Sequence, residues 1–150
     1  MSRTPTPTSS FALVVVRRDD GRFLVVHEAK HGQLWYLPAG RVEPGERFVD
    51  AAVRETKEES GVDVELTGLL RIEHTPGPVA RLRLIFLARP RDQRQVPKAV
   101  ADSESLEARY VSLEELAALP LRGDEVRVWF ERVAAGAVVA PLSVLSAEGA

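Results

Sequence analysis

The 150-residue chain has no cysteine. Disulfides, thiolate zinc sites, thiol nucleophiles and thiol redox switching are therefore excluded, and the chain suits a reducing cytoplasm, its expected location. It also lacks an excess of positive charge. Twenty basic residues stand against 22 acidic ones, for a formal charge of −2, so the field that duplex nucleic acid demands is missing while free nucleotides stay open as partners. Long apolar runs are absent too. The only N-terminal one, Phe11 to Val16, stops at Arg17-Arg18-Asp19-Asp20, which excludes a membrane span and a signal peptide and predicts a strand. Neither a glycine-rich dinucleotide fingerprint, a Walker loop nor a nucleophile elbow occurs. No internal repeat is visible.

What is present has the size and composition of one globular domain, 45% hydrophobic and 28% charged. Residues 1–10, rich in Ser, Thr and Pro, predict a flexible tail, leaving 11–150 as the domain. Phe11 to Arg18 and Phe23 to His27 flank an Asp-Gly turn and read as a β-hairpin. Gln33 to Pro38 predicts a short aromatic strand, and the glycines and proline of Ala39 to Gly45 predict irregular backbone. A helix is expected from about Glu46 to Ser60, stopped by Gly61. Val62 to His74 and Ala80 to Ala88 read as strands joined across Pro76-Gly77-Pro78, and Leu106 to Val111 as another. Ser112-Leu113-Glu114-Glu115 spells a capping box, a second helix spans about Gly123 to Ala135, and the apolar tail Val138 to Leu145 packs as an edge segment. Strands on both sides of a central helix argue an α/β chain with a mixed sheet covered on both faces.

Two short motifs fail on context. His27-Glu28-Ala29-Lys30-His31 has the H-E-x-x-H pattern, but it leaves an apolar β-run and meets Gly32 with room for only one helical turn. Arg122-Gly123-Asp124 matches an adhesion tripeptide with nothing else extracellular beside it.

The central helix is more informative. At about 100° per residue, Val49, Ala52, Val53, Thr56 and Ser60 form a core stripe, with Arg47, Asp50, Arg54 and Lys57 opposite. Glu55, Glu58 and Glu59 fill the bordering arc at i, i+3 and i+4, where like charges crowd and repel. Three hard oxygen donors beside a Gly/Pro loop suit Mg²⁺ or Mn²⁺ and leave water positions for phosphate oxygens. Metal-assisted hydrolysis of a phosphoanhydride is the chemistry this pattern points to.

Gly40, five residues, Glu46, seven residues, then Arg54-Glu55-Thr56-Lys57-Glu58-Glu59-Ser60-Gly61-Val62 resembles the box of the MutT-like Nudix hydrolase family, G-x5-E-x7-R-E-U-x-E-E-x-G-U with U aliphatic. Only Thr56 departs from it. The resemblance implies the Nudix fold, an α/β/α sandwich with a mixed β-sheet. It makes Glu55, Glu58 and Glu59 metal ligands, joined by the Gly40 carbonyl and by Glu104 in the loop Asp102-Ser103-Glu104. Glu55 or Glu58 would activate water, Arg54 would orient the catalytic carboxylate, and Glu46 and Gly61 would shape the loop and helix end.

Glu28-Ala29-Lys30, Trp35 to Arg41, Glu43 to Glu46 and Phe86 to Pro90 resemble the branch that hydrolyses oxidised-guanine nucleoside diphosphates. For that substrate Trp35 or Tyr36 could stack on the base, Arg71, Arg81 and Arg83 could touch phosphate or simply be solvated, and Asp124 could read the purine edge or merely cap its helix. Pro78, near a marker proline of ADP-ribose pyrophosphatases, keeps ADP-ribose or a nucleotide sugar as an alternative. A non-catalytic nucleotide- or RNA-binding module of the same fold is the alternative of another class. A monomer or homodimer is expected.

Overall fold

The computed structural model describes residues 3–150; Met1 and Ser2, part of the expected tail, lie outside the described residues. The elements are β1 (Thr8–Val16), β2 (Phe23–Glu28), β3 (Trp35–Tyr36), β4 (Ala39–Arg41), α1 (Phe48–Ser60), β5 (Val64–Thr75), β6 (Ala80–Pro90), β7 (Ser105–Val111), α2 (Leu113–Leu116) and α3 (Glu125–Ala134). Two 3₁₀ turns, His31–Gln33 and Leu142–Val144, complete them.

A four-stranded sheet runs β4-β1-β6-β5, and a three-stranded one runs β3-β2-β7. The first is mixed, because β1 lies parallel to β6 while β4 and β5 are antiparallel to their neighbours. The second is antiparallel. Along β1 every residue from Ala12 to Val16 is at most 2% exposed, as a strand covered on both faces requires. Alternation divides it: Ala12, Val14 and Val16 join Ala51 and Ala52 of α1, while Leu13 and Val15 join Val126, Trp129, Phe130 and Val133 of α3. Two cores separated by strands and closed by helices make the α/β/α sandwich. Phe130 stacks on Phe23 at 4.4 Å between ring centroids.

Four expectations need correction. The first two strands are not a hairpin: only Arg17 and Phe23 bridge, after which the strands part into different sheets. The tight turn does form, with Gly21 at φ 87°, but parallel pairing with β6 along all of β1 outweighs hairpin pairing. The first strand starts at Thr8, three residues into the expected tail, because Thr8 pairs with Ala80 and the Ala80 amide donates to the Pro7 carbonyl. Ala39–Arg41, expected to be irregular, pairs with β1 as an edge strand. Arg54, expected to face water, is half-buried by its carboxylate partners.

Candidate active site

The segment that forms β4 and leads into α1 turns back so that the helix carboxylates lie against the strand. The two ends of α1 are pinned by the residues expected there. Arg54 Nε and Nη2 grip Glu46 at 2.7 and 2.9 Å, a bidentate pair that holds Glu46 down at about 2. Glu46 also accepts from the Glu43 amide, closing the loop before the helix. At the other end Gly61 takes the left-handed conformation, φ 76°, and donates to the Lys57 carbonyl. Thr56, the departure from the box, is buried with its hydroxyl donating to Ala52 O at 2.8 Å. Its one polar atom is thereby satisfied.

Arg54 also binds Glu55 Oε1 at 2.8 Å and Glu58 Oε2 at 3.1 Å, and donates to the Arg41 carbonyl. Glu59 takes a different course. It is 9% exposed and both its oxygens stand 3.4 Å from the Ala39 amide. Burial, helped by Glu55, Glu28 and Glu104, pushes Glu59 well above the usual carboxylate range. Glu55 is raised as well, by burial first and against the pull of Arg54. Its carboxylate lies over Gly40, where a Cβ would stand 2.0 Å from the carboxyl carbon. Any larger residue there would displace the Glu55 carboxylate.

Among the described residues no three His, Asp or Glu side chains converge closely enough to hold an ion. The expected three-glutamate crowd is opened by Arg54, which draws Glu55 and Glu58 to its own side. The donor set nevertheless fits a hard divalent ion: oxygens only, with Glu59 and Glu55 carrying charge that burial and neighbouring carboxylates oppose.

Glu104 reaches this edge from the loop before β7. Lys98 fastens that loop to the helix: its Nζ donates to Glu58 O (2.7 Å) and Ser105 Oγ (3.1 Å) and pairs with Asp102 Oδ2 (2.7 Å). Ser105 Oγ in turn donates to Glu59 O at 2.6 Å. Asp102 Oδ1 accepts from the Glu104 amide.

Glu59 and Glu104 face a cleft of about 450 Å³ lined also by Phe11, Glu28, Gly40, Arg41, Arg81, Arg83 and Arg122; Glu55 and Glu58 stand outside its lining. Its walls differ in charge. Arg81 lies over the Phe11 ring at 4.4 Å, and Arg41 flanks the same ring at 5.8 Å. Glu28, Glu59 and Glu104 line the acidic side.

Several expected substrate contacts move. Trp35 is 4% exposed, stacked on His27 at 4.6 Å, and Tyr36 is 1% exposed. Both are core and neither lines the cleft: they share one cluster with Trp129 and Phe130 of α3, with Arg109 over the Trp35 ring at 4.5 Å and Arg122 over the Tyr36 ring at 4.0 Å. The Tyr36 hydroxyl donates to Glu125 Oε1 at 2.7 Å and accepts from Arg83, and burial pushes it up to about 12. Asp124 is exposed, makes no capping hydrogen bond and stands outside the cleft lining. The inward acid is its neighbour, Glu125. Pro78 lies in the exposed turn between β5 and β6, also away from the cleft. His27 and His31 share no helix, His31 sitting in a turn at φ 54°. Glu28 and Arg122 are the wall residues sequence reasoning left out of the site, and both lay inside the motifs dismissed on context. Arg83 lines the cleft with Arg81, whereas Arg71 does not.

The NUDIX domain family model matches residues 7–132, so the chain belongs to that family and carries its α/β/α fold. It is 40% identical over 116 residues to the 8-oxo-dGDP phosphatase NUDT18 of Homo sapiens, covering 76% of this chain and 35% of that protein. To phosphatase NudJ of Escherichia coli O1:K1 it is 36% identical over 98 residues, 65% of this chain and 64% of the other. The chain thus spans about a third of the length of the first of these relatives. A NUDIX hydrolase structure from Nitrosomonas europaea superposes with a TM-score of 0.76 at 27% identity, covering 95% of this chain and 99% of that one. No described helix is long and apolar enough to cross a membrane.

Proposed function

We propose that the chain hydrolyses the phosphoanhydride of nucleoside diphosphate derivatives with the help of Mg²⁺ or Mn²⁺, and that oxidised guanine nucleotides are its preferred substrates. The carrying observation is a cleft lined by Arg41, Arg81 and Arg83 of β4 and β6 on one side and by Glu59 and Glu104 on the other, Glu59 being raised by burial and by its carboxylate neighbours. Phosphate oxygens are drawn to the first wall and a hard cation to the second.

Glu55, Glu58, Glu59, Glu104 and the Gly40 backbone would hold the ion, which supplies charge neutralisation of the diphosphate and a more acidic water. Arg54 fixes the rotamers of Glu55 and Glu58 while leaving each a free oxygen. Glu55 or Glu58, through the oxygen that faces neither Arg54 nor the ion, would accept the proton of the attacking water. Arg81 and Arg83 counter phosphate charge from the facing strand. The likeness to an 8-oxo-dGDP phosphatase at 40% identity supports the oxidised guanine preference.

The test is a substrate panel. Purified protein with Mg²⁺ or Mn²⁺ is given 8-oxo-dGDP, GDP, ADP, the triphosphates, ADP-ribose, nucleotide sugars and dinucleoside polyphosphates, and phosphate or nucleotide release is measured. Fastest turnover of 8-oxo-dGDP to the monophosphate is expected. Preference for ADP-ribose would overturn the substrate, and no turnover of any compound would leave a binding module.

A further inference from the structure

Glu28 ends β2 at a bulge in its pairing with β7. Its two carboxylate oxygens are not equivalent. Oε2 accepts from Arg122 Nη1 at 3.0 Å, whereas Oε1 is buried with no hydrogen-bond partner. A desolvated carboxylate oxygen without a donor is rare in a folded protein and calls for one.

Arg122 is held from three directions. Its amide donates to the Trp35 carbonyl at 2.9 Å, its guanidinium lies 4.0 Å over the Tyr36 ring, and Nη1 is taken by Glu28. The backbone on either side is equally fixed, since the Trp35 amide donates to Pro120 O and the Glu125 carboxylate fills the space beside Gly123. The wall therefore holds, side by side, a carboxylate whose second oxygen lacks a donor and is turned away from solvent and a fork with donors to spare. Both residues border the same cleft as Glu59 and Glu104.

Building on the nucleotide reading above, we propose that Glu28 and Arg122 read the nucleobase: the Glu28 carboxylate, turned so that Oε1 meets the cleft, accepts from ring N–H while the guanidinium donates to the adjoining carbonyl. The cleft then selects a base with a lactam edge. Guanine and 8-oxoguanine offer N1–H and a 2-amino group to the acceptor and O6 to the donor. Adenine offers the reverse, an acceptor at N1 beside an amino donor, and would leave Glu28 unfilled and Arg122 facing N–H. The pair sorts guanine from adenine and is indifferent to oxidation at position 8. A second carboxylate for a cation is the competing use of Glu28, but the guanidinium paired with Oε2 puts a like charge directly beside any ion on Oε1 and disfavours it.

The test compares wild type, Glu28→Gln and Arg122→Gln in two measurements: kcat/KM for GDP and ADP with Mg²⁺, and calorimetric binding of GMP and AMP in chelator. Wild type is expected to favour guanine in both by at least roughly tenfold, and each variant to lose most of that ratio. Glu28→Gln should do so partly by gaining adenine affinity, since an amide can donate to N1. An unchanged ratio in either folded variant overturns the proposal. So does an equal loss on both bases with weaker Mn²⁺ binding, which would place Glu28 at the cation. If Glu28→Gln does not fold, Arg122→Gln decides alone. Absence of turnover in the wild type would count against the hydrolase reading, and the monophosphate binding would still judge this one.

Discussion

Glu59 is the most confined of the helix carboxylates, and confinement is what makes it expensive without a counterion. Replacing it with Gln removes a charge but keeps the shape. Turnover of Glu59→Gln should fall at least about a hundredfold, as should that of Glu58→Gln, since each removes a charged ligand from the ion. Steady-state rates at saturating Mg²⁺ check this, and near-wild-type rates in both would sink the metal assignment. Gly40 makes a sharper residue-scale test. A methyl group there would collide with the Glu55 carboxyl carbon at 2.0 Å, and the flexible side chain would swing aside. Gly40→Ala is thus expected to fold with a melting temperature near wild type yet lose about tenfold or more in kcat, because placement of the carboxylate is what it disturbs.

Elements carry these residues, and the sequence foretold the elements better than their partners. Periodicity and capping placed α1 and the strands within a few residues, and the capping box at Ser112 is present as read, with Ser112 Oγ accepting from Glu115 N and Glu115 returning to the Ser112 amide. Pairing was less legible. Asp19-Asp20-Gly21-Arg22 spells a hairpin turn and makes one, but the turn's local preference is silent about β6, which lies some seventy residues away in the chain and takes β1 in parallel. The site divided the same way. The neighbourhood of Arg54 and Glu55 was readable because fixed spacing on one helix sets it, and that of Glu46 and Gly40 because the box gives their distance from that helix. Trp35 and Tyr36 were misassigned because the aromatic content of a strand does not tell which layers will cover it. Glu28 and Arg122 meet across ninety-odd residues, a juxtaposition only the fold creates.

Lys98 belongs to this scale, since it joins the C-terminal turn of α1 to the loop bearing Glu104. Lys98→Met keeps much of the buried stem but drops the bonds to Glu58 O, Asp102 and Ser105. The Mg²⁺ concentration for half-maximal rate should rise by roughly threefold to tenfold, and Glu104→Gln should produce a similar rise without abolishing activity. If Lys98→Met lowers thermal stability and leaves the Mg²⁺ titration untouched, the lysine is only a structural fastener. An unmoved titration for Glu104→Gln would return that residue to ordinary surface.

For the molecule as a whole, the acidic wall makes stability depend jointly on pH and on a divalent ion. Glu59 binds its proton more tightly folded than unfolded, its native pKa being raised above the ordinary 4.5. A raised pKa contributes stability that is fully present below pH 4.5 and is lost as pH climbs through the native value. Above that point the metal-free protein must bury an ionised carboxylate beside Glu55, Glu28 and Glu104. Glu59→Gln has no such group. In chelator, its melting temperature should therefore rise relative to wild type as pH increases from about 4.5, and comparing the two proteins cancels the opposite slope of low-pKa groups such as Glu46 and Asp20. A cation bound to the ionised carboxylates reverses the penalty. At a hundred times its dissociation constant it adds about 2.7 kcal/mol, roughly 5 to 10 °C for a chain of this length. Mn²⁺ or Mg²⁺ at pH 7.5 should thus raise the wild-type melting temperature by that amount, less at pH 5, and much less in Glu59→Gln at either pH. A metal-induced shift that is the same at both pH values and in both proteins would show that the ion binds elsewhere.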